Sequence, residues 1–211
     1  VVVSLLTDPK TAALARPAPL PGGIEPEQRL IVCGLGWARY LAFDKALGDD
    51  RPGPRFYYLD GDLEIMTTSN EHERIKKWIG GFMDIFFEES EIQNIPRGQA
   101  TMRIFEEAGA EPDESWCIRE EKQWPDIVLG IALTSGGLSK LEIYRHFAVP
   151  EVWLWQRGKL EVFTLRDDGY DRFATSRILP GLPIDLIESC VAIPGWLEAR
   201  HTFRAGLAGR R

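Results

Sequence analysis

Apolar residues recur at Ile75, Trp78, Ile79, Phe82, Ile85 and Phe86, the spacing of one face of a helix, and predict a helix over 70–89. Ser69 or Asn70 suits its N-cap, and Glu71 and Glu73 fall in its first turn. Upstream, FYYLDGDLEIM (56–66) sets two strand-like runs around the turn dipeptide Asp60-Gly61, a hairpin signal. PDIVLGIAL (125–133) has few polar residues and reads as a central strand covered on both faces. VPEVWLWQRGKLEVFTL reads as two strands joined at Arg157-Gly158, and DGYDRFATSRILPG adds a turn and a further strand. Shorter strands are expected near 91–95, 100–107 and 114–119, the last behind a loop. Helices are expected over about 34–47, over about 137–147, and in the closing segments PIDLIESC and IPGWLEARHTFRAGLAG. Hairpins and helices alternating around a central sheet predict an α/β fold. Residues 1–29, rich in Pro, Ala and Gly, read as an extended or mobile N-terminal arm, followed by one domain over 30–211.

One stretch breaks the pattern. In PDIVLGIALTSGG (125–137), Gly130 interrupts an apolar strand. A strand glycine packs nothing and often marks a bulge or a close backbone approach.

Composition narrows the setting. The 211 residues are 44% hydrophobic and 27% charged, ordinary values for a globular protein with a sizeable core. No apolar run reaches the roughly 18 residues of a membrane span, and VVVSLLTDPK lacks the basic start of a signal peptide, so a cytoplasmic location is expected. Cys33, Cys117 and Cys190 are widely spaced, form no metal-ligand pattern and read as buried free thiols. The histidines form no HExxH, which argues against a zinc enzyme. The net charge of −7 argues against broad nonspecific nucleic-acid binding, yet a metal ion can supply positive charge at a phosphate.

Acids at loop–strand junctions are the first candidates for chemistry: Asp113 in EPDES and Asp126 in WPDIV. Carboxylates on neighbouring strand ends can share a hard cation, which activates water. The plainer role for each is a turn or a local backbone hydrogen bond. Lys140, just after a Gly-Gly turn, can reach back over the strand end toward a phosphate or attacking water, or it is a solvated surface lysine. Tyr144 lies one helical turn on and shares its face. His72 and Glu73 open the long helix and can position a phosphate or metal-bound water, or simply cap and solvate it. Trp153 and Trp155 share one strand face, as core residues or as a base-stacking platform.

Taken together, YLDGDLEIM, SNEHERIKKWIG, EPDESWCI and PDIVLGIALTSGGLSKLEIYRHFAVPEVWLWQRGKLEVF resemble the bacterial family of small restriction endonucleases in the PD-(D/E)XK nuclease superfamily. The likeness runs in order over roughly 30–205, and KLEIYRHFAVPEVWLW is its most specific stretch. It implies a restriction-endonuclease-like mixed β-sheet flanked by helices, and Mg²⁺- or Mn²⁺-dependent hydrolysis of DNA phosphodiesters. Asp113 matches the first metal-binding acid, Lys140 the lysine displaced to the following helix, and His72 and Glu73 the frequent accessory at the start of the long helix. Gly130 departs from the pattern, which expects Glu there, and Ala132 holds the ordinary lysine position. Asp126 shares the face of position 130, but four strand residues span about 13 Å, too far to replace it. Glu120 and Glu121 are further acids near the strand.

Three readings follow: a metal-dependent DNA endonuclease impaired at Gly130, an inactive relative that binds nucleic acid or a protein partner, or a structural protein built on its apolar strands. A homodimer suits symmetric duplex cleavage.

Overall fold

The structure is a computed structural model that describes residues 27–48, 53–134 and 136–210. Strand β1 (Arg29–Val32) precedes helix α1 (Trp37–Leu47), and the hairpin β2 (Arg55–Leu59) and β3 (Asp62–Met66) follows. The left-handed conformations of Asp60 and Gly61 turn that hairpin. Helix α2 (Asn70–Glu89) starts at Ser69, whose side chain accepts a hydrogen bond from His72 N. Then come β4 (Asn94–Pro96), β5 (Met102–Ile104), β6 (Ala108–Ala110), β7 (Glu114–Ile118) and β8 (Ile127–Ala132). Helix α3 (Lys140–His146) crosses to β9 (Glu151–Gln156), and β10 (Lys159–Arg166), β11 (Gly169–Phe173), α4 (Ile184–Val191) and α5 (Trp196–Ala208) complete the chain.

The strands form two sheets rather than the one central sheet expected. A five-stranded antiparallel sheet runs β1-β3-β2-β6-β5, and a six-stranded sheet runs β11-β10-β9-β8-β7-β4. Only β8 and β9 pair in parallel in the second sheet, which makes it mixed. Its alternating residues divide the core. Ile127, Leu129, Ile131, Trp153 and Trp155 pack against α2, α4 and α5, while Val128, Val152 and Leu154 pack against α3 and the first sheet. Helix α3 is thus wedged between the two sheets, and α1 covers the outer face of the first with Tyr40 against Phe56, Tyr58 and Leu63. The expected mixed sheet flanked by helices is present.

One strand was not legible as such. AGA (108–110) lies in the segment read as a loop, yet it pairs with both β2 and β5. Its small residues are required by crowding: a Cβ on Gly109 would sit 2.6 Å from Tyr40 Oη. Residues 1–26 of the arm lie outside the described residues. Glu27, Gln28 and Arg29 lead directly into the first sheet, with Gln28 N donating to Thr67 Oγ1.

Gly130 is not a bulge. The β8–β9 ladder runs unbroken through it, opposite Leu154. A Cβ there would meet only Leu154 Cδ2, at 3.2 Å. Trp153 and Trp155 are buried, so their rings are core and present no stacking platform. Cys117 and Cys190 are buried as expected, whereas Cys33 is exposed. No described helix is long and apolar enough to cross a membrane.

Candidate functional site

Asp113 sits just before β7, fully buried, at the end where β7 meets β8. Its backbone N–H donates to Leu129 O, and its Oδ2 accepts from Ile131 N at 2.7 Å. Its Oδ1 lies 2.8 Å from His72 Nε2. The other ring nitrogen, Nδ1, lies 2.5 Å from Glu27 Oε1. A carboxylate only accepts, so two ionised carboxylates on opposite ring nitrogens require the imidazolium, with both nitrogens donating. Burial pushes the His72 pKa down, but the two carboxylates outweigh it and raise the pKa to about 9. Burial likewise pushes the Glu27 carboxyl up, and the His72 and Arg29 charges more than reverse this, holding it below the usual range.

The pattern extends. Glu27 Oε2 lies 3.1 Å from Arg29 Nη2, and Arg29 Nη1 lies 3.6 Å from Glu64 Oε1. Glu64 Oε2 is 2.8 Å from Lys140 Nζ, while Arg55 Nε is 3.8 Å from Asp113 Oδ1. Read in order, Lys140, Glu64, Arg29, Glu27, His72, Asp113 and Arg55 form a buried chain of alternating charge. It joins β1, β2, β3, α2, α3 and the edge of β7. Desolvated charges persist only when paired and hydrogen-bonded, and each acid here has at least two donors or cations.

This chain also fixes the loop between β8 and α3. Glu27 Oε2 accepts from Leu133 N and Thr134 Oγ1, Glu64 Oε2 accepts from Leu138 N, and Arg29 Nη1 donates to Gly136 O at 2.5 Å. Gly137 adopts φ +104, and a Cβ there would lie 2.5 Å from Glu64 Oε2. The glycine pair therefore serves both the turn and the close approach of Glu64.

Lys140 opens α3, capped by Ser139, and points back over β2. Its ammonium lies 3.2 Å from the Tyr57 ring centroid, and Tyr57 is the cross-strand partner of Glu64. Burial lowers the Lys140 pKa to about 8, against the opposing pull of Glu64. Tyr144, one turn along α3, is buried, and its hydroxyl has no hydrogen-bond partner among the described residues. Burial raises its pKa well above 10. Gly130 and Lys140 line the same cavity, of about 290 Å³.

The structure thus brings Asp113, His72, Lys140, Tyr144 and position 130 to one region. It does not bring four other candidate residues there. Asp126 lies toward the opposite end of the β7–β8 pair, where its carboxylate accepts from Ile118 N and pairs with Lys122 Nζ at 2.8 Å. It fastens the 119–125 turn, which is the plainer role. Glu73 points outward, with its carboxylate 3.3 Å from Lys76 Nζ and 4.0 Å from Arg55 Nη2. Glu120 and Glu121 are exposed in the turn after β7, away from Asp113. Sequence reasoning missed Glu27, Arg29, Arg55 and Glu64. Only Glu64 carried a signal: period-2 alternation puts it on the same strand face as the core residue Met66.

The fold and site define a mixed-sheet α/β protein whose acid, imidazolium and lysine gather at the end of two central strands. The family model Uma2, described as "Putative restriction endonuclease", matches residues 37–196. The chain belongs to this family. Among solved structures it is similar to one from Anabaena variabilis described as "a putative nuclease belonging to DUF820". That similarity is at 14% identity and a TM-score of 0.45, covering 80% of this chain and 98% of that one. No curated protein matches the sequence.

Restriction-endonuclease-like proteins generally use divalent metal ions. The donor set of this chain, as arranged, does not fit one. A hard cation wants several oxygen ligands with free lone pairs. Both oxygens of Asp113 are engaged, Oδ1 by His72 and Arg55 and Oδ2 by Ile131 N, Glu27 and Glu64 are each held by cations, and residue 130 brings no carboxylate. A doubly protonated imidazole is not a ligand. Among the described residues, no group of three His, Cys, Asp or Glu side chains is placed to hold a metal ion.

Proposed function

We propose that this protein is a nuclease-family member that engages nucleic acid without metal-dependent phosphodiester hydrolysis. One observation carries this reading: the Asp113 carboxylate, at the family's metal position, is ion-paired to His72 inside a closed chain of charges. An acid used in that way holds the N-terminal segment, the long helix and the central strands together, and its lone pairs serve folding. Gly130 points the same way, since the strand there carries no second acid and a Cβ would press on Leu154 Cδ2 at 3.2 Å. Family membership supports DNA as the partner, and a two-fold dimer suits duplex DNA.

The test pairs two measurements on the full chain. Fluorescence anisotropy with labelled duplex DNA at low salt reads binding, and calorimetry with MnCl₂ reads metal affinity. Saturable DNA binding without Mn²⁺ uptake supports the reading. Stoichiometric Mn²⁺ binding that Asp113→Asn abolishes overturns it.

A second reading, a metal-dependent DNA endonuclease with residual activity using Mg²⁺ or Mn²⁺, is favoured by the convergence of Asp113, Lys140 and position 130. On that reading Asp113 holds the ion and Lys140 orients the phosphate or water, after His72 has released Asp113.

A further inference from the structure

Helix α1 has its polarity reversed. Its inward face carries Asp44, ion-paired with Arg103, and Tyr40, stacked on Tyr58. Its outward face is apolar. Ala38, Ala42 and Ala46 recur at every fourth residue and form one exposed stripe, flanked by Leu41 on one side and by Phe43 and Leu47 on the other. Phe43 is 49% exposed and Leu47 47%. Phe105, 71% exposed on the turn between β5 and β6, lies edge-on to Trp37 and extends the patch at the N-terminal end of α1. Of the six large hydrophobic residues exposed among the described residues, Leu41, Phe43, Leu47 and Phe105 thus share one patch. Single exposed apolar residues are ordinary, but a contiguous patch marks a contact surface. A helix that is apolar outward as well as inward suits burial on both sides.

The charges around the patch favour a second copy of the chain as its cover. The exposed charges of α1 are Arg39 and Lys45, both cations, and Lys45 lies in the last turn. At the other end of the helix the neighbouring turns carry Asp60 and Glu106, both exposed acids. Those turns meet the start of α1, with Gly36 N donating to Gly61 O and Asp60 N donating to Glu107 O. The same patch turned end for end therefore matches itself, with Lys45 of each copy facing the acidic turns of the other. The alanine stripe lets two helices pack closely, at roughly 8 Å between axes.

We propose that two copies of this chain dimerise through α1, packed antiparallel about a two-fold axis at Ala42. Ala38 of one copy then faces Ala46 of the other, and Leu41, Phe43 and Phe105 seal the flanks. The contact uses neither metal nor DNA, so it stands or falls separately from nucleic-acid binding.

The test is sedimentation equilibrium of the full chain, without DNA, from about 1 to 100 μM. A monomer–dimer equilibrium with a micromolar Kd is expected, since one helix pair makes a small interface. Ala42→Arg adds a long cation at the axis on each copy, at a solvent-exposed helix position. It is expected to weaken the dimer at least about tenfold and to leave the circular dichroism spectrum unchanged. A second measurement does not rely on loss. Cys33 is exposed, so Ala42→Cys is made in a Cys33→Ser background. Mild oxidation is expected to give a disulfide-linked dimer, because facing positions on helices packed this closely lie within disulfide reach. A native chain that stays monomeric across the whole range overturns the proposal, as does a dimer that Ala42→Arg leaves intact. So does an Ala42→Cys protein that cross-links no more than its Cys33→Ser background.

Discussion

His72 Nε2 lies 2.8 Å from Asp113 Oδ1, and this bond joins the first turn of the long helix to the edge of the central strands. It makes Asp113 a buried ion-pair partner.

Removing the imidazole leaves Glu27 and Asp113 facing each other without a cation. His72→Ala is expected to destabilise the fold by about 3–5 kcal/mol, the usual cost of breaking a buried charge network by one member. Urea denaturation at pH 7 measures it. Loss of less than about 1 kcal/mol would show that His72 is not the keystone of the chain.

The pH dependence has a definite sign. The His72 pKa is about 9 in the fold against an ordinary 6.5. Its contribution, on the order of 3 kcal/mol, is complete below pH 6.5 and is lost as pH rises through 9. Lys140 works in the opposite sense, with a folded pKa near 8 against 10.5. The fold disfavours its charged form, so stability rises between pH 8 and 10.5. The native chain is therefore expected to show a stability minimum around pH 8–9. Lys140→Met, which keeps the hydrocarbon stem, is expected to lose the rise above pH 9 and keep the fall below it. Denaturation midpoints across pH 6–10.5 check both limbs.

Two adjacent glycines separate backbone strain from close packing. Gly136 and Gly137 have φ +100 and +104, but only at Gly137 would a Cβ collide, with Glu64 and Arg29. Gly136→Ala is expected to cost about 1–2 kcal/mol and Gly137→Ala about 1–2 kcal/mol more. Equal costs in thermal denaturation would remove the Glu64 contact from the explanation.

Gly130→Glu places a carboxylate in the cavity beside Lys140. Mn²⁺ affinity is expected to increase over the native chain in calorimetry, though less than in Gly130→Glu combined with His72→Ala, which also frees Asp113. Unchanged affinity in both variants would show that residue 130 is not where the second acid belongs.

Elements with strong periodicity were legible in the sequence. The helix over Asn70–Glu89, the Asp60-Gly61 hairpin and the apolar β8 each carry a local signal that tertiary structure did not need to override. The division into two sheets was not, because it depends on which strands pair across the chain, and β6, three small residues, has strand character only from pairing on both sides. Asp113, His72 and Lys140 were found as candidates, and the structure draws them together. Glu27, Arg29 and Glu64 were passed over because a lone charged residue usually lies on the surface, and only tertiary packing buries Glu27 and Glu64 and covers most of Arg29. Asp126 was overvalued for the converse reason. Its Pro-Asp context suits a catalytic acid and a turn equally, and the Lys122 contact settles its place at the turn.

The central claim is that Asp113 serves an ion pair in place of a metal. Nicking of supercoiled plasmid with Mn²⁺, comparing the native chain with Asp113→Asn, tests it most directly. The account predicts the same background nicking for both proteins. Mn²⁺-dependent cleavage by the native chain that disappears in Asp113→Asn would contradict it.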